Sequence, residues 1–139
     1  MRLKNMLLLG LVVVLAVSAI LVVGCGNSQE AAKATLSAAL DKVEASVAKF
    51  QQLGASSTIA DVKAARDAVR PDWAQVVTAA KAVKGADAAG AEKAWTAVDQ
   101  AITAIPDNAG IAAAAGIMGP VQALLQVEAN LRTLVSPSK

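Results

Sequence analysis

NSQEAAKATLSAALDKVEASVAKFQQLG, residues 27 to 54, places Leu36, Leu40, Val43, Val47 and Phe50 at successive steps of four, three, four and three. On an α-helix that spacing gathers all five onto one stripe, a coiled-coil-like seam that has to be buried against other helices. Asn27, with Glu30 three positions later, has the form of a capping box with Asn in the Ser/Thr place. Gly54 after Leu53 is a stop signal. The stretch predicts one long amphipathic helix, and such a helix needs partners.

The partners follow along the chain. Ser56, Ser57 and Thr58 offer a cap for a second helix, whose seam runs Ile59, Val62, Val69, Trp73, Val76, Ala80 and Val83 to a stop at Lys84-Gly85. Pro71 falls inside it, and an interior proline removes one backbone hydrogen bond and kinks or breaks a helix. Val69, Trp73 and Val76 keep the four-three step across the proline. One kinked helix is the favoured reading, with two shorter helices as the alternative.

Asp87 is a natural cap for a third helix, in which Ala91, Trp95, Val98, Ile102 and Ile105 repeat the spacing until Pro106. Asp107 or Asn108 then caps a fourth. Its stripe is Ile117, Val121, Leu124, Val127, Leu131 and Leu134, with Gly116, Gly119 and Pro120 predicting a bend near Gly119.

Composition agrees. Alanine supplies 31 of the residues from Cys25 onward, tyrosine and histidine are absent, and no segment alternates as a strand would. The fold class expected is all-α: an antiparallel up-down-up-down four-helix bundle over 27–135, with a C-terminal tail at 136–139. In that topology the Gly85-Ala86-Asp87 turn lies at the Cys25 end. The Gly54 to Thr58 and Pro106-Asp107-Asn108 turns lie at the far end.

The segment ahead of the bundle has a different character. Arg2 and Lys4 give a basic start, Met6 to Val23 is almost wholly apolar, and small Gly24 precedes Cys25, the only cysteine. Residues 1–24 therefore read as an export signal, followed by Cys25 and a short tether at 25–26. Val22-Val23-Gly24-Cys25 resembles the lipobox of bacterial lipoproteins. The resemblance implies cleavage between Gly24 and Cys25, a diacylglycerol thioether on the Cys25 sulfur, and anchoring by two or three acyl chains, enough to hold a protein on a bilayer. The competing reading keeps Met6 to Val23, about the minimum spanning length of ~18 residues, as an uncleaved anchor. In either case the positive-inside rule leaves the bundle outside the cytoplasm. Ala39-Leu40-Asp41-Lys42-Val43 and Trp95-Thr96-Ala97-Val98 are also similar to seams of small alanine-rich helical lipoproteins, a likeness that implies no substrate.

Charge and chemistry narrow the function classes. The net charge of +2 belongs to Arg2 and Lys4, so the chain from Cys25 on is neutral. Nucleic acid, which needs concentrated positive charge, is not an expected partner. With no histidine there is no imidazole base, standard triad, usual zinc set or Glu-x-x-His pair, and neither phosphate-binding glycine loop occurs. No catalytic residue, metal ligand or cofactor is expected. Asp41, Glu44, Asp61 and Lys63 read as solvent-facing positions beside the seams.

Three features admit two readings each. Trp73 and Trp95 are a packed core pair or the frame of a ligand cavity. Gly110-Ile-Ala-Ala-Ala-Ala-Gly116, with Gly119, allows close helix approach inside the fold or an exposed contact. Lys63, Arg66, Asp67 and Arg70 form a solvated face or a docking patch. The function expected is a monomeric, membrane-lipid-anchored, non-enzymatic interaction or structural module of the cell envelope, with an envelope protein as its partner. The alternative is an extracytoplasmic small-ligand binder or sensor with its cavity at the two tryptophans.

Overall fold

The computed structural model describes residues 28–137, all of whose regular structure is helical. The signal segment, Gly24, Cys25 and the Asn27 cap lie outside the described residues. Four α-helices follow in order: α1 (Ser28–Gln51), α2 (Ile59–Lys81), α3 (Ala88–Thr103) and α4 (Met118–Val135), with a 3-10 segment, η1 (Ile111–Ile117), leading into α4.

Each boundary has a local cause. Thr58 caps α2 through a capping box: its hydroxyl accepts from the Asp61 amide, and the Asp61 carboxylate accepts from the Thr58 amide at 2.7 Å. Those bonds to Thr58, backbone first and side chain second, hold the Asp61 carboxyl below its ordinary value. Asp87 caps α3 by accepting from the Gly90 amide at 2.8 Å. A methyl on Gly90 would collide with that carboxylate, so the glycine is part of the cap.

Between α2 and α3 the amide of Ala86 donates to the Val83 carbonyl, and Gly85 takes φ 86°, the left-handed region that a type II turn demands at this place. Open space surrounds its Cα, so Gly85→Ala costs backbone strain alone. We expect a loss of about 1 kcal/mol, read as a lower urea midpoint with an unchanged slope.

Pro71 does not divide α2. The helix runs unbroken from Ile59 to Lys81, with Pro71 on its exposed side and Val69, Trp73 and Val76 fully buried on the other. The ring therefore faces water, where the hydrogen bond that proline cannot donate is lost outside the core.

The last stretch departs from expectation. No helix starts at Asp107 or Asn108. Ala109 bonds back to Pro106, Gly110 opens η1 without any side-chain cap, and the α-helix begins only at Met118. Asp107 is taken by Lys63 of α2 and is not available as a cap. Gly110, Gly116, Gly119 and Pro120 weaken a continuous α-helix here, and the segment takes the tighter 3-10 form.

Each helix packs against the next in sequence, α4 also packs against α1, and η1 touches α2, α3 and α4. Between α1 and α2, Gln29 meets Ala82 and Lys84, Lys42 meets Gln75, and Ser46 donates to Asp72. Between α2 and α3, Arg66 meets Thr103 and Arg70 meets Asp99. One core holds Leu36, Leu40, Val43, Val62, Val69, Trp73, Val76, Val98, Ile102, Leu124 and Leu131, all close to fully buried. Burying one such aliphatic side chain stabilises the fold by about 1.5–3 kcal/mol.

Candidate functional site

Trp73 is the largest fully buried side chain, and its indole N–H donates to the Ala91 carbonyl in the first turn of α3 at 2.9 Å. Both its ring and its polar atom are thus occupied by the protein. Trp95 belongs to the same core but only at its edge, half-buried, while Ala94 takes the fully interior place beside it. The two indoles therefore share a core and differ in exposure.

Two cavities lie away from them. The first is a groove of about 350 Å³ lined chiefly by Phe50 at the end of the α1 seam, Leu53 just beyond it, Val62 of α2, Ile111 and Ile117 of η1, and Met118. None of its lining side chains is charged, and Met118, 57% exposed, stands at its edge. The second, about 310 Å³, sits between α1 and α4 against Glu44, Val47, Leu125, Glu128 and Arg132. Neither indole lines either cavity.

Arg132 dominates the second cavity. Its guanidinium donates to Asp41 at 3.1 Å, Glu44 at 2.8 Å, the Leu40 carbonyl at 3.1 Å and, one turn back on its own helix, Glu128 at 3.2 Å. Burial opposes the charge, but the bonds to Asp41 and Glu128 and the charges of Glu128 and Glu44 outweigh it, so the guanidinium pKa stands above its ordinary value. Glu128, only 8% exposed, was not foreseen as an interior residue. Its signal was the step of four to Arg132, which lets one pair neutralise itself in the seam. Asp41 and Glu44 are solvent-facing as expected, yet their outer oxygens reach across to α4.

The charged cluster before Pro71 is neither a free face nor a vacant patch. Lys63 pairs with Asp107, Arg66 lies 3.7 Å from Asp99 and bonds Thr103, and Arg70 bonds Asp99 at 2.6 Å. The Lys63 hydrogen bond, then its charge, lowers the Asp107 carboxyl pKa, and the bond to Asp99 raises that of Arg70. These groups rivet α2 to α3 and to the loop beyond it. Exposed pairs of this kind add little stability each, so they set register more than stability.

The small-residue stretch also differs from expectation. A Cβ added at Gly110, Gly116 or Gly119 would meet nothing within 4 Å, and Ala112, Ala113 and Ala115 are exposed. The 3-10 form buries Ile117, keeps Ile111 and Ala114 half-buried against the core, and carries Ala112, Ala113, Ala115 and Gly116 around the outside of the segment.

Among the described residues no three His, Cys, Asp or Glu side chains gather as a metal set; Asp41, Glu44, Asp67, Asp99, Asp107 and Glu128 pair with cations, and Asp61 and Asp87 cap helices. Comparison with protein-family models, with characterised proteins and with solved structures finds no match.

Proposed function

We propose that this chain is a lipid-anchored module of the bacterial cell envelope, acting by binding or by structure and not by a reaction. The observation that carries the reading is Val22-Val23-Gly24-Cys25, standing after a basic start and an apolar run, with the first described helix beginning at Ser28. A tether of two or three residues would hold the helices against the lipid headgroups, on the outer face of the cytoplasmic membrane or on an outer membrane. The rising and falling residue numbers of the α1–α2 and α2–α3 contacts support an up-down-up-down bundle. In it the Gln29–Lys84 contact marks the membrane end, and the Lys63–Asp107 pair marks the outer end that a partner protein meets first. The ligand-sensor reading has no observation in its favour, since Trp73 is closed off by Ala91 and both cavities lie elsewhere.

Cys25→Ser tests the reading, because the sulfur is the acyl acceptor. In cells fed radioactive palmitate the variant should carry no label and should accumulate as the uncleaved precursor. A variant that is still cleaved and labelled removes the lipoprotein assignment. A wild-type chain that is neither cleaved nor labelled replaces it with the uncleaved anchor.

A further inference from the structure

We propose that α4 and η1 form a strap that opens from the rest of the domain as one unit, with Arg132 as its latch. The first ground is how little the strap buries. In the eighteen residues of α4 the buried ones are Leu124, Glu128 and Leu131, and η1 adds Ile117. The apolar anchors Ile117, Leu124 and Leu131 are thus seven apart, one for every two turns. In the most apolar window of Ile111–Val135 only 17% of the residues are buried. By contrast α2, of similar length, buries eight.

The second ground is where the polar ties lie. Among the described residues, every side-chain hydrogen bond between α1 and α4 comes from one residue: Arg132 holds Asp41, Glu44 and the Leu40 carbonyl at once. Beside it the seam is interrupted by the 310 Å³ cavity. The third ground is the hinge. The chain enters the strap at Gly110, just before η1, where no side chain caps the segment and an added Cβ would meet nothing within 4 Å, as also at Gly116 and Gly119 further on. Few fully buried side chains, with Val121, Leu125, Val127 and Leu134 packed on the core only in part, one polar latch to α1 and an uncapped entry are the marks of a segment that opens below the global unfolding free energy. The inference stands on the fold alone and holds whether or not Cys25 is acylated.

Hydrogen exchange on the full chain in detergent, at low and rising urea, tests it. The amides of Leu124 to Leu131 should exchange at least about tenfold faster than those of Val69 to Val76 and with a weaker urea dependence, the signature of a sub-global opening. Arg132→Gln should speed the α4 amides by a further factor of about ten and leave the α2 amides where they were. The same rate and urea dependence for both helices in the wild type would overturn the proposal. So would an Arg132→Gln variant in which both helices accelerate equally or in which α2 fails to fold, because a latch on one strap leaves α1 to α3 standing.

Discussion

Trp73→Ala is expected to lower the stability of the domain by about 3–5 kcal/mol, the usual cost of removing a buried aromatic ring, out of the ~5–15 kcal/mol that single domains possess. The ring is fully buried between α2 and α3, with Val69 and Val76 on its own seam and Ala91 across from it. An alanine there leaves a hole that neighbouring helices cannot fill without sliding past the ion pairs of Arg66 and Arg70 with Asp99. Trp73→Phe separates the two contributions. It keeps most of the volume but removes the donor to Ala91, a net hydrogen bond of about 1 kcal/mol. Urea midpoints by circular dichroism should therefore fall in the order wild type, Phe, Ala. A Trp73→Ala variant as stable as the wild type would mean the ring is not the keystone of the α2–α3 contact.

Pro71→Ala should move stability the other way. The proline lies on the exposed side of an unbroken α2, so alanine regains the amide that Pro lacks, placed to donate to the Asp67 carbonyl, and relieves a residue costing up to ~3 kcal/mol in a helix interior. The gain should be smaller than that ceiling, because the ring sits on the exposed side of the helix and proline also restricts the unfolded chain. A higher urea midpoint is the expected result. A lower one would show that the local curvature at Pro71 seats Trp73, two residues on, and that straightening it disturbs the core.

Periodicity made the interior of α1 and α2 legible. Leu36, Leu40, Val43 and Val47, and the whole seam from Ile59 to Val83, are buried as their spacing requires. Legibility fell where small or polar residues share the interior. Ala39, Ala65, Ala79 and Ala94 are interior in a chain where alanine also covers the surface, so composition cannot single them out. Trp95 is large and falls on the step, which points it inward, yet Ala94 beside it is buried and the indole is only half-buried. The last helix does not start where Asp107 and Asn108 offer a cap, because Asp107 pairs with Lys63, distant in sequence, and the chain from Gly110 takes the 3-10 form before Met118. The Arg132 cluster was missed for the same reason. Asp41 and Glu44 lie about ninety positions from it, and no local pattern announces such a meeting. The reading of Cys25 rests on its sequence neighbours alone, and the residue lies outside the described ones.

The unequal burial of the two indoles gives the molecule a built-in pair of optical reporters. With no tyrosine in the chain, near-ultraviolet excitation reaches Trp73 and Trp95 almost alone. One ring is sealed in the core and the other stands at the rim of α3, so acrylamide quenches the Trp95 light and leaves that of Trp73. A docking event on the α3 face would shield the first signal, while loosening of the α2–α3 contact would redden the second. Binding and breathing can thus be told apart by colour in a single cuvette, with no dye attached.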